Sequence, residues 1–341
     1  MVEAPVRSEG YRHQRPVVVQ STCNAETKMD TRRKSSLSIL CPVYNEETVI
    51  PLFMERIGPV VTSLNAKYEV RLVFLDNHST DRSNAVIMEL AETRSDVFVI
   101  RMSRNVGYQK SLETGIRTVE SDLYAFIDVD CEDPPEMLLS FAKEIQAGHE
   151  LVYGIRTDRP EPAHIKRLRR LFYRLLNHLS DEESLFLMAE FSMFTREVRD
   201  SAIAESNSFP FIRSNLARVG FNRIGLAYVR QNRVAGTTNY NLFGMSVFAV
   251  AGLLASTTLP LRLPIYLLPI WLVLVTLFGI LAVAQSSPWW ALATFLTTAS
   301  FLGASVAFAS LYVARTYKNG LARPNAHVQH ELSLLPPHGS A

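Results

Sequence analysis

Two aspartates on alternate positions, Asp128 and Asp130, follow directly on the apolar run 123–127. Carboxylates so spaced, just past a strand, can meet a divalent cation together with a ribose or a diphosphate. A cation matters where a diphosphate departs, because the leaving group gains charge in the transition state and a metal neutralises it. Alone the pair is a weak signal, since many surface loops hold an Asp-x-Asp. Glu132 and Asp133 add ligand candidates in the same turn. Asp133 precedes Pro134-Pro135 and is equally suited to capping the next helix. Asp76 ends a second apolar run, 70–75, where it can accept hydrogen bonds from a base or ribose or simply make an Asx-turn. Asn77 and Asp81 read as turn and cap residues. Asn77-His-Ser79 matches a glycosylation sequon, which a cytosolic loop does not use.

These residues need elements to hold them. Residues 37–43, 70–75, 97–101 and 123–127 read as strands, the second a nearly continuous apolar run suited to a buried parallel sheet. Helices alternate with them: one of about 20 residues opening at Asn45 as N-cap, one ending near Glu92, and one over 109–120. The alternation predicts a doubly wound, mostly parallel α/β sheet. Ligands of such sheets bind beyond the carboxyl ends of the strands. The polar clusters 44–46, 76–81 and 128–133 all fall on that edge.

The chain has 341 residues, enough for one catalytic domain and an appendage. Its 48% hydrophobic content is uneven, with charge almost absent over 240–312. Segments 264–285 and 289–314 are each long enough to cross a bilayer, with a short turn at 285–288. Arg262 before them and Arg315, Lys318 and Arg323 after them put both ends in the cytoplasm. The uncharged stretch 242–261 is assigned to re-entrant or interfacial helices, since a third span reverses that topology. Residues 163–179 form a basic amphipathic helix suited to an anionic membrane surface, with Lys166, Arg167, Arg169 and Arg170 beside an apolar stripe. A net charge of +2 gives no sign of nucleic-acid binding. Cys23, Cys41 and Cys131 have neither metal spacing nor the look of a disulfide framework. The division predicted is a disordered tail over 1–36 with no signal peptide, a catalytic domain over 37–239, interfacial helices over 240–263, a transmembrane hairpin over 264–315 and a cytoplasmic tail over 316–341.

Cys41-Pro-Val-Tyr-Asn-Glu-Glu47, Leu75-Asp-Asn-His-Ser-Thr-Asp81, Ser103-Arg-Asn-Val-Gly107 and Ile127-Asp-Val-Asp-Cys-Glu-Asp-Pro-Pro135 occur in that order. Together they resemble the family-2 inverting glycosyltransferases of GT-A fold, in the branch that acts on polyprenyl phosphates. Val152-Tyr-Gly-Ile-Arg156, Leu171-Phe-Tyr-Arg-Leu-Leu-Asn177, Ala235-Gly-Thr-Thr-Asn-Tyr240 and the paired spans extend the likeness. The resemblance implies that Pro42, Tyr44 and Glu46 line a nucleotide site, with Asp76 on the base. It implies that Asp128 and Asp130 serve a Mg2+ or Mn2+ ion and the diphosphate, with Glu132 also reaching the metal. Arg156 and Arg167 would hold the acceptor phosphate, and Arg233 would lie on a loop closing over the site. Arginine suits phosphate because its planar fork matches the oxygens.

Three departures stand out, the mildest being Asp76-Asn77 where many relatives have Asp-Asp. Relatives often have Asp-Phe-Arg at Glu190-Phe191-Ser192, and usually Lys at Asn239. Glu190 remains a candidate for orienting the acceptor. The resemblance implies transfer of a sugar, with inversion, from a nucleoside-diphosphate sugar, taken as a UDP-sugar, to a polyprenyl phosphate. The enzyme would be a multi-pass protein of the inner (plasma) membrane with its catalytic domain in the cytoplasm, a homo-oligomer being left open. A processive polysaccharide synthase is the first alternative, although its Gln-x-x-Arg-Trp motif is missing. A non-catalytic membrane scaffold is the second.

Overall fold

The computed structural model describes residues 34–156, 188–204, 210–231, 258–321 and 323–337. The basic segment 163–179, Arg167, Arg233, Asn239, residues 242–257 and residues 1–33 lie outside the described residues.

The chain runs β1 (Ser35–Val43), α1 (Val49–Leu64), β2 (Tyr68–Asp76), α2 (Ser83–Thr93), β3 (Val97–Arg101), α3 (Tyr108–Thr118), β4 (Leu123–Phe126), α4 (Met137–Gln146) and β5 (Leu151–Arg156). After these come β6 (Met188–Thr195), α5 (Arg196–Ile203), α6 (Ile212–Arg218), β7 (Arg223–Tyr228), α7 (Leu259–Ala284), α8 (Pro288–Gly320) and a 3-10 turn, His330–Leu332. The strands form one seven-stranded sheet in the order β3-β2-β1-β4-β6-β5-β7. Every pairing is parallel except the two made by β6. The expected doubly wound, mostly parallel sheet is therefore present.

Period-2 alternation along β1 builds the layers. Leu37, Ile39, Cys41 and Val43 enter one core with the apolar stripe of α1, Ile87 of α2 and Phe141 of α4. Leu40 faces the other core with Leu112 and Ile116 of α3, Val198 of α5 and Leu216 of α6. Side chains of a strand point alternately to opposite faces, so the unbroken apolar runs Ile39–Val43 of β1 and Leu72–Leu75 of β2 demand cover on both.

Two local expectations are corrected. Helix α1 opens at Val49, with Thr48 at its N-cap, and has 16 residues. Asn45 instead sits in the left-handed region at φ 57°, and its Oδ1 accepts the Thr80 amide at 2.8 Å. Asparagine tolerates that conformation and bonds locally there, so it staples two loops and caps nothing. Asp133 is no cap for α4 either, since its carboxylate is buried and held by Arg156.

Helices α7 and α8 form an antiparallel hairpin. Trp271 stacks on Phe301 at 4.8 Å, Phe278 meets Trp290 at 5.6 Å, and Trp290 Nε1 donates to Gln285 Oε1 at the turn. Both helices are long and apolar enough to cross a membrane, and neither apolar window is buried within the protein. They begin and end beyond the predicted spans, at Leu259 and Gly320. The segment expected only as a cytoplasmic tail returns to the sheet, where Val99 bridges Leu334 and Met102 bridges Val328. The far end of α8 is thus on the same side of the hairpin as the sheet.

Candidate active site

Strand β1 pairs with β2 on one side and β4 on the other, so the winding reverses between β1 and β4. A crevice opens at such a reversal, outside the carboxyl ends of the strands. The loops after β1, β2 and β4 all start there. Strand β6 runs antiparallel to β4, pairing Ser192 with Phe126. Its first residues, Glu190 among them, therefore lie at the level of Asp128, two residues past Phe126.

The loops after β1 and β2 are knitted together through backbone amides. Asn45 N–H donates to Ser79 Oγ at 3.0 Å, Glu46 N–H to Ser83 Oγ at 2.8 Å and Glu47 N–H to Asp81 Oδ2 at 3.2 Å. Asp81 also accepts from the Ser83 amide and hydroxyl, and these hydrogen bonds hold its carboxyl below the usual range despite partial burial. Pro42 and Glu46 are half-buried on this rim, and Tyr44 is exposed. Asp76 is fully buried at the end of β2. Its Oδ1 accepts the Ser79 amide at 2.8 Å, and its Oδ2 is in an ion pair with Arg101, which also donates to Ser79 O at 3.1 Å. Asp76 thus organises the loop that follows it, and only its remaining lone pairs are left for a ligand.

Past β3, Gly107 adopts φ 87°, a conformation open to glycine, and starts α3 so that Tyr108 reaches across the crevice. The Tyr108 hydroxyl donates to Asp128 Oδ1 at 2.8 Å. Burial pushes the Asp128 carboxyl up to about 7, the charges of Asp130 and Asp133 push the same way, and the Tyr108 hydrogen bond opposes them. Asp130 is buried, and its Oδ1 accepts the Glu132 amide at 3.0 Å. Glu132 forms an ion pair with Arg230, while its carbonyl accepts the Gln231 amide at 2.8 Å.

Asp133 collects the ends of two further strands. Arg156 of β5 donates to it at 3.0 Å and Tyr228 of β7 shares its Oδ1, while Arg156 Nε donates to the Tyr228 hydroxyl at 2.9 Å. The parallel register that places Arg156 beside Tyr228 makes this triad. Gly154 leaves room for it, since a Cβ there would lie 2.5 Å from the Tyr228 ring. Asp133 holds the Arg156 guanidinium in its charged form against burial. Burial likewise pushes the Glu190 carboxyl up. Gln109 Nε2 donates to Glu190 Oε1 at 2.9 Å, and Glu190 Oε2 is buried with no hydrogen-bond partner among the described residues.

The structure therefore gathers Asp128, Asp130, Glu190 and Arg156 around one crevice, with Pro42, Tyr44, Glu46 and Asp76 on its β1–β2 side. Sequence reasoning missed Tyr108, Gln109, Tyr228, Arg101 and Arg230. Tyr108 and Gln109 follow directly on the Gly107 motif, a signal available in the sequence. Tyr228 is found only through strand register.

Among the described residues, no three carboxylate, imidazole or thiol side chains come together as a ready-made metal site. The donor set still fits a divalent cation. Asp128 and Asp130 lie two residues apart in one turn, and burial, with the Asp130 and Asp133 charges adding to it, raises the Asp128 carboxyl, a cost that a bound cation would relieve. Magnesium-type ions are commonly held by one or two carboxylates, with substrate phosphates completing the shell.

The family model described as glycosyl transferase family 2 matches residues 38–201. An uncharacterized glycosyltransferase of Bacillus subtilis (strain 168), YkcC, is 33% identical over 69% of this chain and 72% of its own. A prophage bactoprenol glucosyl transferase homolog of Escherichia coli (strain K12) is 30% identical over 68% of this chain and 75% of its own. Among solved structures, the mannosyltransferase PcManGT from Pyrobaculum calidifontis in complex with GDP-Man and Mn2+ is 19% identical, with 85% of this chain and 88% of that one covered at a TM-score of 0.43.

Proposed function

From the premise that this chain belongs to glycosyl transferase family 2, we propose that it moves a sugar from a nucleoside-diphosphate sugar, a UDP-sugar in the first instance, to a polyprenyl phosphate, with inversion. The observation that carries this is the Asp128–Asp130 pair at the point where the sheet reverses its winding, on a chain that also has two helices long and apolar enough to span a membrane. Relatives named bactoprenol glucosyl transferase support the lipid acceptor. The enzyme is assigned to the inner membrane, with the catalytic sheet on the cytoplasmic side.

Asp128 and Asp130 would hold a Mg2+ or Mn2+ ion, which, when bound, neutralises the departing diphosphate. The chain's own residues do the rest. Tyr108 fixes the orientation of Asp128. Asp130 ties the turn together through the Glu132 amide. Pro42, Tyr44, Glu46 and Asp76 form the nucleotide wall. Arg156, kept charged and fixed by Asp133 and Tyr228, offers positive charge to the acceptor phosphate. Glu190, oriented by Gln109, faces the acceptor side and sets its approach. A phosphate oxygen of the acceptor attacks the anomeric carbon as the bond to the diphosphate breaks, and the electron pair leaves with the diphosphate. The attacking oxygen is already anionic near neutral pH, so no strong base is required. Positioning and charge neutralisation supply the catalysis.

A panel of radiolabelled sugar nucleotides with polyprenyl phosphate, in the presence of Mn2+ or Mg2+, tests this. One sugar per lipid phosphate, of opposite anomeric configuration to the donor, is expected. A polymer would make the chain a processive synthase. Absence of any transfer, with no metal-dependent nucleotide binding, would leave a scaffold.

A further inference from the structure

The last described residues run back along the outer edge of the sheet. Asn325 Nδ2 donates to Glu113 Oε2 of α3 at 2.6 Å. The backbone then pairs with β3 and its continuation. Ser103 N–H donates to His327 O at 2.8 Å, Gln329 N–H to Arg101 O at 2.8 Å, Val99 N–H to Leu334 O at 2.9 Å and Leu334 N–H to Val99 O at 2.8 Å. Arg71 reaches the Pro337 carbonyl at 3.0 Å. Covering an open edge strand is reason enough for a segment to lie there.

The bonds nevertheless centre on one residue. Both backbone groups of Arg101 are held by this segment: its carbonyl by Gln329 N–H, and its N–H by Ser333 Oγ at 2.9 Å. The Ser333 hydroxyl in turn donates to Gln329 O at 2.8 Å. The Arg101 guanidinium pairs with Asp76 and the Ser79 carbonyl, at the loop assigned above to the nucleotide. Arg101 Nε is buried with no hydrogen-bond partner among the described residues, so the guanidinium is held through its two terminal nitrogens alone. Its aim depends on where the backbone of β3 is pinned.

We infer that residues 327–335 are a working part of the donor site, with Ser333 a positioning residue that acts through Arg101 on Asp76. The segment follows α8 directly, so it also ties the far end of the apolar hairpin to the nucleotide loops. This inference rests on the proposed function, since it takes the loops after β1 and β2 to bind a nucleoside diphosphate.

The test uses the full-length protein in lipid nanodiscs. Binding of UDP and GDP, and the separate KM values for donor and acceptor, are measured for the wild type, Ser333→Ala, Ser333→Thr and Leu334→Pro, with thermal melting followed for each. Loss of the Ser333 hydroxyl, which accepts from Arg101 N–H and donates to Gln329 O, should raise the nucleotide Kd and the donor KM by about 3- to 10-fold. The acceptor KM and kcat should stay within about twofold. Ser333→Thr keeps the hydroxyl and should restore donor affinity. Leu334→Pro removes a ladder donor and should weaken nucleotide binding further. Unchanged nucleotide affinity in folded Ser333→Ala would overturn the inference, as would equal rises in both KM values or a Thr variant as poor as Ala. A wild type that binds neither nucleotide would instead sink the functional reading, and this inference with it.

Discussion

The Tyr108 hydroxyl donates to Asp128 Oδ1 across 2.8 Å, joining the first residue of α3 to the loop after β4. It is the one described hydrogen bond to a side-chain oxygen of Asp128, and it favours the ionised form that burial and the Asp130 and Asp133 charges oppose. Tyr108→Phe should therefore lower turnover roughly 10- to 100-fold, the scale of one hydrogen bond to a charged group. Mn2+ affinity, read by electron paramagnetic resonance, should fall with it. Unchanged Mn2+ binding and turnover would show that Asp128 holds its orientation without the tyrosine.

Asp130→Asn keeps an acceptor for the Glu132 amide while removing the charge. Transfer should be abolished and metal-dependent nucleotide binding lost, with thermal stability in metal-free buffer unchanged or raised. Full turnover in EDTA-treated wild-type protein would count decisively against a metal at this pair.

The raised Asp128 carboxyl has a consequence for stability in metal-free buffer. In the unfolded chain it titrates at about 3.9, whereas in the fold it is pushed up to about 7. The folded state then binds this proton more tightly, so stability is greatest below the unfolded pKa and is lost as pH rises through the folded one. Asp128→Asn should thus raise the melting temperature at pH 8 and change it little at pH 4. An equal effect at both pH values would rule out this titration as the cause.

Asp133, 2% exposed, is paired with the half-buried Arg156 guanidinium. Removing the arginine leaves the buried carboxylate without its cation, at a typical cost of about 1–3 kcal/mol. Arg156→Ala should destabilise by that order in chemical denaturation, and adding Asp133→Asn should recover part of the loss. Additive losses in the double variant would mean that the two groups are not coupled.

The hairpin turn is also open to test. With native thiols replaced, Ser286→Cys should react with an impermeant maleimide added to intact cells, because basic residues flank both helices on their other ends. Reaction only from the cytoplasmic side would invert the proposed topology.

The sequence by itself determined β1 to β4 of the seven-stranded sheet and the edge where its chemistry sits. Apolar runs ending in Asp76 and Asp128 fixed parallel strands with polar loops at one edge, because a strand buried on both faces must be apolar throughout and can turn polar only where it ends. The two charge-free segments were equally legible, since length and hydropathy are local properties. Tertiary structure alone decided how those residues are held. That Asp133 answers to Arg156 and Tyr228 depends on the pairing of β5 with β7, between residues 72 positions apart. That Glu132 meets Arg230, and that the end of the chain closes the edge beside Arg101, likewise depend on contacts between distant segments. No local pattern encodes such contacts, because pairing partners are chosen by which edges and charges remain unsatisfied once the sheet has formed.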